Sequence, residues 1–286
     1  MTPSNPLLET LALERIERNL YRGRAPSEFG GTRIFGGHII GQALLAAYAT
    51  IEGRVCHSLH AYFVRPGDAR IPILYDVDRA RDGTSFTTRR VAAIQDGQQI
   101  LNLAASFQIV EEGPEHQATM PDAPPPESLP EDWGGPPRPA SEVEGAGTSI
   151  IRQRPIEMRH VHPQDYANPQ RLAPAKAVWM RMRDPIGPDV RLQHAVLGFA
   201  SDMNLFETAM RAHGFFWSTP GLQSASLDHA VWIHQKFDFS EWHLFVEDSP
   251  ITHSARGFVR ASVWSRDGRL VASVAQEGLL RHRGGK

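Results

Sequence analysis

The chain repeats itself, and that constrains its fold more than any other feature. His60-Ala61-Tyr62-Phe63-Val64 is matched by His229-Ala230-Val231-Trp232-Ile233 at an offset of 169. Arg90-Val91-Ala92 followed by Asp96-Gly97 is matched by Arg260-Ala261-Ser262 followed by Asp267-Gly268. Self-similarity on this scale is what a duplicated domain leaves behind. At 286 residues the chain is too long for one small sandwich and long enough for two modest cores.

Each half reads as one helix and a run of strands. In the first, residues 40, 44, 47 and 48 are apolar at helical spacing, which predicts a helix over 36–48. Strand patterns follow over 59–64, 71–77, 85–94 and 100–109, the last two joined by Asp96-Gly97, a strong hairpin signal. In the second half, Ser201-Asp202 opens a helical pattern over 203–212, with Gly214 as its stop. Strands are expected over 227–233, 244–247, 257–264 and 270–276, the last pair again joined by Asp-Gly. Extended segments precede each helix, over 12–21 in the first half and over 156–162 and 178–182 in the second. The expected class is α+β, with two antiparallel sheets each wrapped around a central helix. Residues 113–147 are rich in Pro, Glu, Gly and Ser, a composition that buries too little apolar area to offset ordering entropy. They read as a proline-stiffened linker. The division is thus 1–112, a linker over 113–150, and 151–286.

Charge and motif content exclude several functions. Thirty basic against 32 acidic residues leave a net charge of −2, not the basic excess of a nucleic-acid surface. Cys56 is the only cysteine, so no internal disulfide forms, which fits a reducing compartment. Residues 1–9 lack the pattern of a signal peptide, and the longest apolar stretch, 39–51, is too short to span a bilayer. The terminal Arg-Gly-Gly-Lys is not a peroxisomal address. A soluble cytoplasmic protein without a membrane partner is expected. No Gly-x-Ser-x-Gly elbow, Walker loop or dinucleotide motif occurs. His57-x-x-His60 lacks acidic or Cys partners for zinc, and residues three apart on a strand face opposite ways, so neither a metal nor a cofactor is expected.

Several segments are close to one family. They are Ile34-Phe35-Gly36-Gly37-His38-Ile39-Ile40-Gly41-Gln42-Ala43-Leu44, the run from His57 to Asp68, Arg81-Asp82-Gly83-Thr84-Ser85-Phe86, Ala200-Ser201-Asp202-Met203-Asn204, Ser226-Leu227-Asp228-His229-Ala230-Val231-Trp232, and Val271-Ala272-Ser273-Val274-Ala275-Gln276-Glu277-Gly278. Together they resemble the acyl-CoA thioesterase II family. The resemblance implies a double hotdog fold and hydrolysis of medium- to long-chain fatty acyl-CoA. It also implies an Asp, a Thr or Ser, and a Gln that hold the attacking water. By motif these are Asp202, Ser226 and Gln276, with no covalent nucleophile and no cofactor. The resemblance also implies pairing through sheet edges into a homodimer or homotetramer.

These residue types suit the chemistry. A thioester carbonyl is electrophilic and thiolate leaves readily, so hydrolysis needs an oriented water and a place for the oxyanion. Asp202 can act as general base. Read as the N-cap of a helix over 203–212, its carboxylate would be held ionised by the dipole. Ser226 and Gln276 can each hydrogen-bond the water. Backbone N–H groups around Gly36, Gly37 and His38 could receive the substrate oxygen. His57 falls opposite Ser226 under the 169 offset, and Ser106 opposite Gln276 at an offset of 170, so His57 is a further pocket candidate. Phe199, Met203, Leu205, Phe206, Phe215, Phe216 and Trp217 are available for an acyl tunnel, and Arg65, Arg89, Arg90, Arg256 and Arg260 for CoA phosphates. Two rivals stand. One is a hotdog hydratase or dehydratase, which needs an acid–base His for which Asp202 has no obvious partner in the sequence. The other is a non-catalytic acyl-CoA binding protein.

Overall fold

The computed structural model describes residues 5–25, 32–132 and 155–283. The Gly134-Gly135-Pro136-Pro137 stretch of the expected linker lies outside them, as do residues 1–4 and 284–286.

After a short helix α1 (Pro6–Leu11), the first half runs β1 (Glu14–Glu17), β2 (Leu20–Gly23), α2 (Gly36–Tyr48), β3 (Val55–Phe63), β4 (Ile73–Asp82), β5 (Phe86–Gln95) and β6 (Gln98–Gln108). The second runs β7 (Ile156–His160), β8 (Ala175–Met182), α3 (Val190–Ser201), α4 (Glu207–Arg211), β9 (Leu222–Ser226), β10 (Asp228–Ile233), β11 (His243–His253), β12 (Arg256–Ser265) and β13 (Leu270–His282). Asp96 and Gly97, with φ of 49° and 68°, make the left-handed pair of the β5–β6 turn.

The two expected sheets are in fact one. The strand order is β1-β2-β4-β5-β6-β3-β10-β13-β12-β11-β8-β7, antiparallel throughout, with β9 also on β13. The halves join where β3 pairs with β10. There His60 lies opposite Ala230, and the 169 offset maps that pair onto Ala61 opposite His229, which is also a pair. A pairing that maps onto itself is the signature of a two-fold relation. Edge-to-edge joining satisfies two rows of backbone groups that separate sheets would leave open.

The helices occupy the interior. Gly-Gly-His-Ile-Ile-Gly-Gln-Ala-Leu-Leu-Ala-Ala-Tyr of α2 is buried on nearly every side, as a helix apolar all round must be. It packs along α3 and against β4, β5 and β6. The two helices run in opposite directions, since Gly37 meets Phe199, Gly41 meets Ala195, and Tyr48 meets His194. A Cβ on Gly37 would collide with the Phe199 carbonyl, so the backbones approach closely there.

The second half's helix differs from the expectation. It spans Val190–Ser201, ahead of the motif rather than over 203–212. Asp189 caps it, its carboxylate accepting the Arg191 N–H at 2.9 Å. Polar Gln193 and His194 break the apolar pattern, yet both are buried and bonded: Gln193 to Asp238 and the Phe239 amide, His194 to the Tyr48 hydroxyl. Beyond it only α4 is helical.

Within the linker, residues 120–132 touch the sheet at several points. Met120, Ala123 and Leu129 lie over a cluster of Trp179, Trp242, Leu244 and Trp264 on the second half's sheet. The Trp179 indole N–H donates to Pro124 O at 2.9 Å, and Arg159 donates to the carbonyls of Pro126 and Leu129. Proline lowers the entropy lost on docking, so a segment of poor core composition can still lie as a strap over tryptophan.

Candidate active site

The three predicted polar residues converge. Gln276 donates both N–H bonds of its amide, to Asp202 Oδ1 at 2.7 Å and to Ser226 Oγ at 2.8 Å. Each arrives from a different element. Alternation along β13 turns Gln276 to the buried face with Val274 and Leu280, a polar side chain in an apolar row. Ser226 ends β9, opposite Gly278 of β13. The strand breaks at Leu227, whose N–H donates to Glu277 O and whose carbonyl accepts the Phe63 N–H. That irregularity aims Ser226 at Gln276, as bulges do beside active sites.

Asp202 is the C-cap of α3, not the N-cap of a following helix. The dipole at this end opposes a carboxylate. What faces it is the start of the other helix: the Gly37 N–H of α2 donates to it. A Cβ on Gly36 would stand 2.7 Å from Asp202 Oδ2 and 2.8 Å from the Phe63 ring, so glycine makes the room the carboxylate occupies. With only 5% of its side chain exposed, Asp202 loses hydration. Burial pushes its pKa up to about 7, outweighing the Gln276 and Gly37 donors. The sequence reading had a dipole-stabilised, weakly basic carboxylate; the structure has one poised to exchange a proton near neutrality.

Ser226 accepts from Gln276, which leaves its own O–H to donate. Gln276 Oε1 is buried and meets no protein donor among the described residues. Beside the trio sits His229, fully buried, with Nδ1 3.9 Å from Asp202 Oδ1 and Nε2 2.9 Å from Ser201 Oγ. Under the 169 offset its counterpart is His60. His60 instead packs edge-on against Trp232. No spacing in the sequence places His229 beside Asp202; the fold does.

Other candidates fall elsewhere. His38 is buried, with Nε2 3.3 Å from Arg24 O and its own N–H donated to Phe35 O. His57 sits at a bulge between β3 and β6, with Nε2 2.8 Å from Ser106 Oγ. The predicted mirror of Ser226–Gln276 therefore touches too. It lies five residues along β3 from Tyr62, the partner of Asp228, roughly 16 Å from that point. The structure does not bring His57 to the trio. Phe199, Met203, Leu205 and Phe206 are buried around the Asp202 loop, while Trp217 is exposed. Arg89 is buried against Asp82 and Thr50, and Arg256 and Arg260 pair with Glu277 and Asp248. A surface depression of about 420 Å³, lined by Arg15, Arg18, Arg54 and Arg79, lies at the other end of α2. It is lined also by Arg89 but by none of the trio, and its open, arginine-rich walls do not suit an acyl chain. No cluster of metal-ligating side chains occurs among the described residues.

Comparison with known proteins carries the same reading across the whole chain. Residues 25–108 match the family described as acyl-CoA thioesterase N-terminal domain, and 146–279 the family described as acyl-CoA thioesterase. Acyl-CoA thioesterase 2 of Haemophilus influenzae is 34% identical over 97% of both chains. This chain belongs to the acyl-CoA thioesterase family. Human acyl-coenzyme A thioesterase 8 is 38% identical over 95% of this chain and 87% of its own. Among solved structures, an acyl-CoA thioesterase II from Mycobacterium marinum superposes with a TM-score of 0.80, at 37% identity over 98% of this chain and 99% of the other. A hotdog-fold protein from Alicyclobacillus acidocaldarius, 20% identical with a TM-score of 0.77 over 98% and 99%, shows the fold alone. The thioesterase match over 146–279 contains Asp202, Ser226 and Gln276, and the N-terminal match contains the Gly36-Gly37 turn that faces them. No helix among the described residues is long and apolar enough to cross a membrane.

Proposed function

We propose that this chain hydrolyses acyl-CoA thioesters by direct attack of water held at Asp202, Ser226 and Gln276. One observation carries the reading: the Gln276 amide joins Asp202 and Ser226, residues 74 and 50 positions away in the chain, into one hydrogen-bonded unit. Asp202 takes a proton as the water oxygen attacks the carbonyl carbon. The C–S bond breaks, CoA leaves as thiolate, and the proton held by Asp202 neutralises it. Ser226 has a hydroxyl hydrogen to donate to the water or the developing oxyanion; of the amides of Gly36, Gly37 and His38, those of Gly37 and His38 are already donated, which leaves that of Gly36 as the backbone candidate. Fixed donors need no reorganisation as charge develops.

The architecture that goes with this is a double hotdog, with units over 1–112 and 151–286, α2 and α3 as central helices, and the joined sheet around both. The proposal includes medium- to long-chain acyl groups, with the apolar Phe199, Met203, Leu205 and Phe206 near Asp202 as candidate lining. The proposal includes a homodimer or homotetramer formed through the edge strands β1 and β7. It also includes a cytoplasmic setting, consistent with one thiol, Cys56, buried with its pKa pushed up to about 12. A hydratase needs an acid–base His; His229, the one beside Asp202, is fully buried and burial lowers its pKa, which disfavours that role. Free-thiol release from an acyl-CoA series, with wild type and Asp202→Asn, tests the reading. Turnover in the wild type lost in a folded Asp202→Asn supports it, and hydration of enoyl-CoA without thiol release would replace it.

A further inference from the structure

His229 is anchored at one end only. It has no exposed surface, its Nε2 lies 2.9 Å from Ser201 Oγ, and its Nδ1 is buried with no hydrogen-bond partner. That open nitrogen is 3.9 Å from Asp202 Oδ1. A buried polar atom left unpaired forfeits its hydration, so its position calls for a reason.

Ser201 decides which nitrogen carries the proton. It is the last residue of α3, and its hydroxyl donates to Gly198 O at 3.2 Å. With the hydroxyl hydrogen on Gly198 O, the arrangement inferred here, Oγ accepts from the ring. A neutral imidazole then has its proton on Nε2 and a bare lone pair on Nδ1. A lone pair turned toward a carboxyl is repelled by the ionised form and tolerated by the neutral one. Ser201, His229 and Asp202 stand in the order of a Ser-His-Asp relay, but its direction is reversed. The serine is the enclosed end, 2% exposed, and the carboxyl is the end at the site.

We propose that His229 is a positioning residue for Asp202: locked by Ser201 with its proton on Nε2, it turns a bare Nδ1 toward Oδ1 and makes Asp202 hold a proton more tightly than the other contacts would. The inference rests on Asp202 being the base of the hydrolysis proposed above. A base that holds its proton more tightly draws it further from the attacking water in the transition state. The other titratable groups nearby are otherwise engaged. Asp228 of β10 accepts the Glu277 N–H at 2.6 Å, and the Glu277 carboxylate pairs with Arg256. The first turn of α2 has no acidic residue and the last turn of α3 no basic one. His38 turns to Arg24 O and His60 to Trp232.

The test compares His229→Gln and His229→Asn in the full chain by thiol release from decanoyl-CoA across pH. Glutamine reaches the Nε2 position and keeps a partner for Ser201, but puts nothing at Nδ1. Asparagine does the reverse. His229→Gln is expected to move the acid limb of kcat/KM down by about one pH unit and to lower kcat about tenfold, with KM changed less than twofold. His229→Asn is expected to leave the limb nearer its wild-type place. A limb that stays put or moves up in His229→Gln overturns the proposal, because a purely structural role lowers only the melting temperature. Should neither variant fold, the ring 15N shifts of wild-type His229 decide: a protonated Nδ1 refutes it. Asp202→Asn is run in parallel. Retained turnover there removes Asp202 as the base, and with it the mechanism proposed above. Lost turnover there, with an unmoved limb in His229→Gln, removes only the inference about His229.

Discussion

Replacing Asp202 by Asn should stabilise the fold at alkaline pH while removing activity. The ordinary carboxyl pKa of 3.8 is pushed up to about 7 in the folded protein. Folded Asp202 therefore binds more protons than unfolded Asp202 between those values, so stability falls as pH rises through the window and levels off above it. At ~1.4 kcal/mol per pH unit, a gap of about three units makes the ionised folded form roughly 4 kcal/mol less favourable than an unperturbed one. Between pH 5 and pH 7 alone the wild type should lose roughly 2–3 kcal/mol through this group. Asparagine does not titrate and should not. It pays a separate penalty, about 1–3 kcal/mol, because its amide N–H₂ faces the donors of Gln276 or Gly37, but that term is the same at every pH. The difference between variant and wild type across pH is thus free of it. Urea unfolding of both proteins at pH 5, 6, 7 and 8 measures that difference, and thiol release measures activity, expected to fall by about 10²–10⁴-fold. A stability difference that is flat from pH 5 to 8 would mean that Asp202 ionises like an exposed carboxyl, and the poised base would have to be abandoned.

Three further outcomes follow from the same geometry. Gln276→Met keeps the volume and removes both N–H bonds, so kcat should drop on the order of 10²-fold with KM little changed, measured by thiol release. Gly36→Ala places a Cβ 2.7 Å from Asp202 Oδ2, which should displace the carboxylate and cost roughly 10²-fold in turnover while circular dichroism stays the same. Lys176→Met strips the counter-charge from Glu207 and Glu247, all three side chains buried, and should destabilise by about 3–5 kcal/mol. Burial already pushes the Glu247 pKa up to about 7, so the loss should be larger at pH 8 than at pH 6, where protonation relieves the unpaired charge; melting curves at both values check it.

Much of the sheet was legible because its signals are local. Alternation marked β5, β6, β12 and β13, and Asp-Gly placed the turn at 96–97 and the one between β12 and β13. The hairpin from β11 to β12 was not legible. Ser254 and Ala255 take φ of 49° and 58° there, a left-handed pair that neither residue type announces. The helix α3 was misplaced because Gln193 and His194 look polar in sequence and become core only when Asp238, Phe239 and Tyr48 reach them from elsewhere. The strap over 113–132 has a linker's composition, and only the cluster of Trp179, Trp242 and Trp264 gives it a surface to dock on.

The sequence alone marked the duplication and the run of antiparallel strands in each half, and its family motifs nominated the three side chains proposed to hold a water, because each is written as periodicity, turn chemistry or motif over a few neighbouring residues. The tertiary structure decided what those groups are to one another. It joined two sheets into one through β3 and β10, put Asp202 at the end of one helix facing the start of the other, and set a buried imidazole beside it. Proton affinity depends on burial and on partners distant in the chain, so no local reading of Asp202 could have shown that its carboxyl would be raised toward neutrality instead of held low.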